Sequence, residues 1–159
     1  MQKEKLQSFA TRVTQANRSE LVVIIYEAVI ASIDEGKKYL EEQNVPEARR
    51  EIQRARGLVE ELMCSLDMKY NISHYLRQLY IYATGELCQG IALRQPERFD
   101  HALNIFQKLL PSFQEVAKQD SSAPVMENTQ QIYAGLTYGR GSLNETVAMD
   151  MDRSRGYEA

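Results

Sequence analysis

The chain has 159 residues, of which 43% are hydrophobic and 26% charged, a composition that is typical of a single globular domain and excludes a wholly disordered chain. Its formal net charge of −3 argues against nucleic acid as the main partner, because binding to phosphates depends on concentrated Lys and Arg. Cys64 and Cys88 have neither CxxC spacing nor adjacent histidines, so we expect buried free thiols in a reducing cytoplasm rather than a redox or zinc site.

The N-terminal residues, MQKEKLQSFATRV, have no continuous apolar core and no small-residue cleavage site, so they do not resemble a secretory signal. The longest apolar stretch, residues 21–33, is interrupted by a glutamate and is shorter than the ~20 residues that span a bilayer. We therefore expect a cytoplasmic protein that has no membrane partner. Residues 1–16 are predicted to form a short amphipathic segment with Leu6, Phe9 and Val13 on its apolar side.

The first long helix is predicted to begin at Asn17, because Asn17 and Glu20 have the spacing of a capping box. From there apolar residues recur at steps of three and four as far as Leu40, which indicates a continuous helix. A buried strand is the alternative for the stretch LVVIIY, since β-branched residues favour sheets. A strand would end after a few residues, whereas this period continues to Leu40.

Three further helices are predicted from apolar stripes at helical spacing over residues 48–66, 72–90 and 99–117. Pro46 suits the first turn of the first of these helices. Pro111 lies inside the last one, where it removes a backbone hydrogen bond and is expected to kink the helix.

Four long helices with short connections predict an all-α fold, an antiparallel four-helix bundle, over residues 17–120. The short helical segment over residues 1–16 precedes it. Residues 121–159 contain four of the eight glycines and no sustained period, so we expect an irregular or flexible tail.

The first and last long helices carry a second apolar stripe beside the stripe that faces the core. A four-helix core cannot absorb both stripes, because each helix turns only a sector of roughly 100–140° inward. Such a surface either is covered from within the chain or binds a partner. The candidate partner-binding residues are Leu21, Ile24, Ile25 and Ala28 on the first long helix and Ala102, Ile105, Leu109 and Val116 on the last.

The sequence pattern leaves three interpretations of this apolar surface open. The amphipathic segment with Leu6, Phe9 and Val13 is the nearest internal cover, and an amphipathic helix of another protein is the nearest external one. A generous core or a homodimer seam would also explain the thick stripes. On the predicted helix that precedes the last one, Tyr75, Tyr82 and Leu93 form a similar but less regular second apolar stripe.

No constellation of catalytic or metal-binding residues is recognisable in the sequence. A ferritin-like metal site needs Glu-x-x-His pairs, which neither His74 nor His101 supplies. The histidines also have no nucleophile with a local signature near them. We therefore expect no enzymatic activity, no metal and no cofactor.

Three stretches of the sequence resemble the flagellin export chaperones of the FliS family. FATRVTQANRSELVVIIYEAVIASI resembles the opening of that family, with Phe9, Asn17 and Tyr26 at the positions of its aromatic residue, helix cap and early tyrosine. ELMCSLD at residues 61–67 and LRQLYIYATGELCQG at residues 76–90 are similar to two further family stretches. The similarity extends over residues 9–119.

The resemblance implies a helical bundle that binds the C-terminal helical segment of flagellin in the cytoplasm, keeps it from polymerising and assists its delivery to the export gate. It also implies that Leu6, Phe9 and Val13 form a displaceable plug in a hydrophobic groove. The alternative function is a self-associating structural bundle, or a helix-binding adaptor, without flagellin cargo. The expected oligomeric state is a monomer or a weak homodimer.

The chain departs from the family pattern at three places. Arg18 stands where the family usually has proline, Pro111 is unusual in the last helix, and the tail after residue 120 is longer than is common. The tail therefore offers a second internal occupant of the groove, through Ile132, Tyr133, Leu136 and Tyr138.

Overall fold

The computed structural model describes residues 3–126 of the chain, and these residues form helices joined by short connections. In chain order the helices are α1 (Lys3–Gln15), α2 (Arg18–Glu41), α3 (Val45–Cys64), α4 (Asn71–Leu93) and α5 (Glu97–Gln119). No strand occurs within residues 3–126. The all-α fold predicted from the sequence is confirmed. The tail is predicted to be irregular or flexible, but its residues from 127 on lie outside the described part of the chain, so this expectation stays a prediction.

The long helices α2 to α5 pack in a closed cycle, in which α2 contacts α3 and α5 and α4 contacts α3 and α5. Short connections between successive helices make neighbours antiparallel. Helix α1 packs on α2. The bundle thus has four seams between neighbouring helices, and each seam has an outer side that faces solvent.

Local sequence signals explain where α2 and α3 begin. The Asn17 side chain accepts a hydrogen bond from the Glu20 amide, and the Glu20 carboxylate accepts one from the Asn17 amide, both at 2.9 Å, so the predicted capping box is formed. The Asn44 side chain caps α3, and Pro46 lies in its first turn, where no amide hydrogen bond is lost. Helix α5 continues through Pro111 to Gln119.

The core lies between the four long helices and is centred on an aromatic cluster. Tyr26, Tyr80 and Phe106 are almost completely buried, and the Tyr26 ring packs edge-on against the other two rings. The two tyrosine hydroxyls form a hydrogen bond of 2.5 Å with each other. Each of these polar atoms thereby satisfies the other inside an apolar core, which makes its burial tolerable.

The expectation that both cysteines are buried is wrong for Cys64. Both thiols are free, but Cys64 is exposed at the last residue of α3, and Cys88 is partly buried. At 100° per residue, Cys64 points well away from the core residues Ile52 and Val59 of the same helix, which explains its exposure.

Candidate partner-binding surface

The largest group of exposed apolar side chains on one helix lies on α4, beside the residues that this helix buries. Ile72, Tyr75, Leu79 and Tyr82 are 61%, 65%, 38% and 52% exposed. Their spacing of three, four and three residues places them on one side of the helix. The core side of α4 is a separate stripe, which includes Leu76, Tyr80, Ala83 and Leu87.

Polar contacts between α4 and α5 show which way this exposed stripe faces. His101 Nδ1 lies 2.6 Å from a Glu86 carboxylate oxygen, and an Arg98 guanidinium nitrogen donates to the Gln89 side chain at 2.6 Å. At 100° per residue, the four apolar residues of α4 point within about 40° of the Glu86 direction. The exposed stripe of α4 therefore faces the outer side of the seam with α5.

Three of the residues predicted on α5 point toward the helix that carries this stripe. Ile105, Leu109 and Val116 point within about 20° of the Arg98 direction, and Arg98 contacts α4. Val116 is 55% exposed, whereas Ile105 and Leu109 are partly buried. We call the combined surface the α4/α5 face; it consists of Ile72, Tyr75, Leu79, Tyr82, Ile105, Leu109 and Val116.

The α4/α5 face is nearly free of charge on its α4 side. Arg77 is the one Lys, Arg, Asp or Glu between residues 71 and 85, and it points to the opposite side of the helix from Leu79. Covering an apolar, uncharged surface with another apolar surface is favourable, because it removes both from water.

The residues predicted on α2 lie elsewhere in the bundle. Gly36 is a point of close approach between α2 and α3, since an added Cβ there would meet Ile52 Cδ1 at 2.8 Å. Leu21 and Ile25 point within about 60° of the Gly36 direction and are partly buried, so they lie toward the seam with α3. Ala28 is buried and points between the Gly36 side and the side of Ile24.

Ile24 lies on a third side of α2, which α1 covers. It is 4% exposed and lines a cleft of about 700 Å3 between α1, α2 and α5, together with Arg12, Ala16 and Ala117. Ala102, the remaining predicted residue, is completely buried in the core. The structure therefore does not bring the eight predicted partner-binding residues into one groove.

Helix α1, the predicted plug, packs on α2 and forms two ion pairs with it. Arg12 pairs with Glu27, and the Lys5 ammonium lies 3.4 Å from a Glu35 carboxylate oxygen. No residue of α1 is buried. Leu6 is exposed, while Phe9 and Val13 are partly buried. The other predicted occupant, formed by Ile132, Tyr133, Leu136 and Tyr138, lies outside the described residues.

A hydrogen-bonded link ties the end of α5 to the start of α2. The Ser19 hydroxyl donates to the Asp120 carboxylate at 2.5 Å, and the Asn17 side chain donates to the Asp120 carbonyl at 3.1 Å. Hydrogen bonds from Ser122 and then Ser19 lower the pKa of the Asp120 carboxyl to about 2. The Val125 amide also donates to the Ala16 carbonyl. These hydrogen bonds fix the position of the short connection between α1 and α2.

Two buried glutamates were missed by the sequence reasoning. Glu86 is 9% exposed, accepts hydrogen bonds from Arg98, and contacts Nδ1 of His101 through a carboxylate oxygen. Glu51 is 2% exposed and accepts two hydrogen bonds of 2.8 Å from Arg54. No local signal could have found Glu86, because its partners Arg98 and His101 lie on another helix.

Comparison with known protein families shows to which family the chain belongs. The sequence profile described as "Flagellar protein FliS" matches residues 1–120, which are three quarters of the chain and include all five helices. The chain belongs to the FliS family. This match confirms the resemblance seen in the sequence. FliS proteins are flagellar export chaperones. No curated protein matches the chain. Within residues 3–126, no helix is long and apolar enough to cross a membrane.

Proposed function

We propose that this protein binds the C-terminal helical segment of flagellin in the cytoplasm, keeps it from polymerising and assists its delivery to the export gate. The observation that supports this proposal is the α4/α5 face, an apolar surface that the described part of the chain leaves uncovered. Family membership supplies the context, because FliS proteins serve flagellar export.

The α4/α5 face suits an amphipathic helix as its ligand. Its two rows of side chains run along two antiparallel helices, and such a surface accepts the apolar residues at positions i, i+3, i+4 and i+7 of a third helix. Covering one of these large side chains contributes on the order of 1.5–3 kcal/mol. Part of that energy is offset by the ordering of a segment that is unfolded before binding, so the complex remains reversible.

The two other predicted surfaces, on other sides of the bundle, would be separate contacts for the same cargo. Ile24 lies beneath α1, and displacement of that helix would expose it. The same displacement would uncover Ala31 and Leu110, which line a neighbouring cleft. Leu21 and Ile25 lie at the seam with α3. A flagellin segment that consists of several short helices would occupy more than one of these surfaces.

The binding test uses flagellin and a flagellin that lacks its C-terminal helical segment. We expect the protein to bind the first and not the second in titration calorimetry. Equal binding to both would overturn the proposal, because the interaction would then not involve the segment that polymerises.

Two variants with matched exposure test the surface itself. Val116→Asp places a charge in the α4/α5 face, whereas Ile81→Asp places one on α4 outside that face; the two side chains are 55% and 54% exposed. We expect Val116→Asp to weaken flagellin binding by roughly tenfold or more, because a charge would be buried against apolar groups, and Ile81→Asp to bind as the parent does. Leu21→Asp tests the seam with α3 in the same assay, and circular dichroism checks that all variants fold.

A further inference from the structure

The arginines of α3 and α4 fall into two groups. One group is neutralised within α3, where Arg50 and Arg54 each pair with a glutamate on the same helix. The other group is exposed and forms no ion pair or hydrogen bond with the part of the chain that the structure describes; it consists of Arg49, Arg56 and Arg77. A guanidinium group that the chain leaves unpaired can pair with a carboxylate of a partner.

Each unpaired arginine directly follows a buried residue of the core. The pairs are Ala48–Arg49, Ala55–Arg56 and Leu76–Arg77. One residue step turns a helix by 100°, so each arginine points to the side next to the core side, always in the same sense of rotation. Ile81 follows the buried Tyr80 in the same way and is 54% exposed.

This sense of rotation leads to the outer side of the seam between α3 and α4. On α4, Glu86 contacts α5, and Arg77 points in the opposite direction, toward α3. On α2, Gly36 contacts α3, and Lys37, one step later, binds Asp100 of α5. Rotation therefore turns α2 from α3 through the core to α5. Antiparallel neighbours are related by a local two-fold axis, which gives α3 the same sense, from α2 through the core to α4.

The residues on this side lie close together along the seam. Positions equally far from the connection between α3 and α4 are level, because the two helices are antiparallel. Arg77, Arg56 and Ile81 lie six, eight and ten residues from the adjoining helix ends, and therefore within about 6 Å along the axis. Arg49 lies about 8 Å further along. We call this surface the arginine face; it consists of Arg49, Arg56, Arg77 and Ile81.

The arginine face combines three positive charges with an apolar side chain among them. Ile81 lies between the levels of Arg56 and Arg49. Glu60, which follows the buried Val59 on α3, is exposed on the same side and offsets one of the three charges. A guanidinium group binds a carboxylate through two parallel hydrogen bonds. The chemistry therefore fits a protein segment that has an apolar side chain between carboxylates.

Nucleic acid fits the arginine face less well than an acidic protein segment does. Binding to phosphates depends on concentrated positive charge, whereas these three arginines are spread over about 14 Å. Glu60 would repel a phosphate backbone, and so would the formal net charge of −3 of the whole chain.

We propose that the arginine face binds an acidic segment of another protein, one that places an apolar side chain between its carboxylates. Arg77 and Ile81 point away from Leu79 across α4, so the arginine face and the α4/α5 face lie on different sides of this helix. An acidic partner and a cargo helix can therefore be bound at the same time. The proposal goes beyond the proposed function and does not depend on it.

Fluorescence anisotropy of the full chain at low salt tests the site with a labelled peptide in which Leu and Ile alternate with Glu and Asp. The control peptide has Gln and Asn in place of the acidic residues. We expect the protein to bind the acidic peptide and not the control. Equal binding of the two peptides would overturn the proposal, because the arginines would then contribute nothing.

Matched substitutions on α3 test which charges are used. We expect Arg56→Gln to weaken binding of the acidic peptide by about fivefold, and Arg56→Gln with Arg77→Gln by roughly tenfold or more. Arg50→Gln removes the same charge from α3 outside the face and should leave the affinity unchanged. Glu60→Gln should strengthen binding by about twofold, since it removes a repelling charge. Equal losses in Arg50→Gln and Arg56→Gln would overturn the site.

Two variants of equal exposure separate this site from the cargo site. Ile81→Asp should lose the acidic peptide and keep flagellin, and Val116→Asp should do the reverse. Displacement of the peptide by flagellin would overturn the separate location, and equally tight binding of a single-stranded oligonucleotide of the same charge would overturn the preference for a protein segment. A parent protein that binds the peptide but not flagellin would count against the proposed function alone and support the arginine face.

Discussion

Tyr26 and Tyr80 bury their hydroxyl groups in the core, where the two hydroxyls form a hydrogen bond with each other. Burial, and then the hydrogen bond with Tyr80, raises the pKa of Tyr26, and burial raises the pKa of Tyr80. Both groups are neutral in the folded protein at a pH where they ionise in the unfolded chain. Their contribution to stability is therefore fully present below the unfolded value of about 10 and is lost as pH rises above it.

We predict a loss of stability on the alkaline side that follows from these two residues. Above pH ~10 the free energy of unfolding should fall by up to about 1.4 kcal/mol per pH unit for each of the two tyrosines. Urea unfolding at a series of pH values measures this slope, and the double variant Tyr26→Phe, Tyr80→Phe should show a smaller one. An equal slope in the double variant would assign the effect to other residues.

The same pair predicts non-additive mutations. Tyr26→Phe alone leaves the buried Tyr80 hydroxyl without its partner, at a cost of about 1–3 kcal/mol. The double Phe variant removes both polar atoms and should lose less than the sum of the two single variants. Thermal or urea unfolding of the four proteins provides the double-mutant cycle.

Gly90 illustrates a residue whose role depends on one neighbour. A Cβ at this position would overlap the ring of Phe99, which is completely buried, whereas a Cβ at Gly85 on the same helix would meet nothing within 4 Å. We predict that Gly90→Ala destabilises the protein by about 1–3 kcal/mol. Gly85→Ala is the matched control and should be neutral or stabilising by up to ~1 kcal/mol, because alanine favours the helix. Equal effects of the two changes in urea unfolding would contradict the role of Phe99.

At the scale of the element, α1 differs from the four long helices. It has no buried residue, and its contacts with α2 include the partly exposed pairs Arg12–Glu27 and Lys5–Glu35. Exposed ion pairs contribute only about 0–1 kcal/mol each and are screened by salt. Such a helix opens locally at little cost, which is what a displaceable plug requires.

We predict that α1 exchanges its amide hydrogens faster than α2 to α5, and that high salt increases this difference. Arg12→Glu should accelerate exchange in α1 further by placing two like charges together, and the second change Glu27→Arg in the same chain should reverse the effect. Hydrogen exchange followed by mass spectrometry measures each helix separately. Uniform protection of all five helices would show that α1 is a permanent part of the bundle.

The sequence indicated the elements well because their signals are local. Asn17 and Glu20 lie one turn apart and form their capping box without help from the rest of the fold. The positions of α4 and α5 likewise follow from the period of their apolar residues. Glu86 was missed because its burial depends on Arg98 and His101, which belong to another helix.

At the scale of the whole molecule, a bound partner should stabilise the chaperone by mass action. A ligand that binds only the folded state adds about 2.7 kcal/mol when its concentration is 100 times its Kd. We predict that the flagellin C-terminal segment raises the Tm of the parent protein and of Ile81→Asp, and raises that of Val116→Asp much less. A scan with a scrambled peptide of the same composition is the control, and an equal rise with that peptide would indicate nonspecific binding.

The sequence by itself determined the long helices, the capping box of α2 and the family, because each of these depends on neighbouring residues or on a period along one helix. Only the tertiary structure decided which apolar stripes meet. The rotation of each helix about its axis depends on packing such as that of Gly36 on Ile52, and this rotation assigns Leu21 and Ile25 to the seam with α3 and Val116 to the seam with α4. Helix periodicity defines a side of a helix, but only contacts between helices identify the neighbour that this side faces.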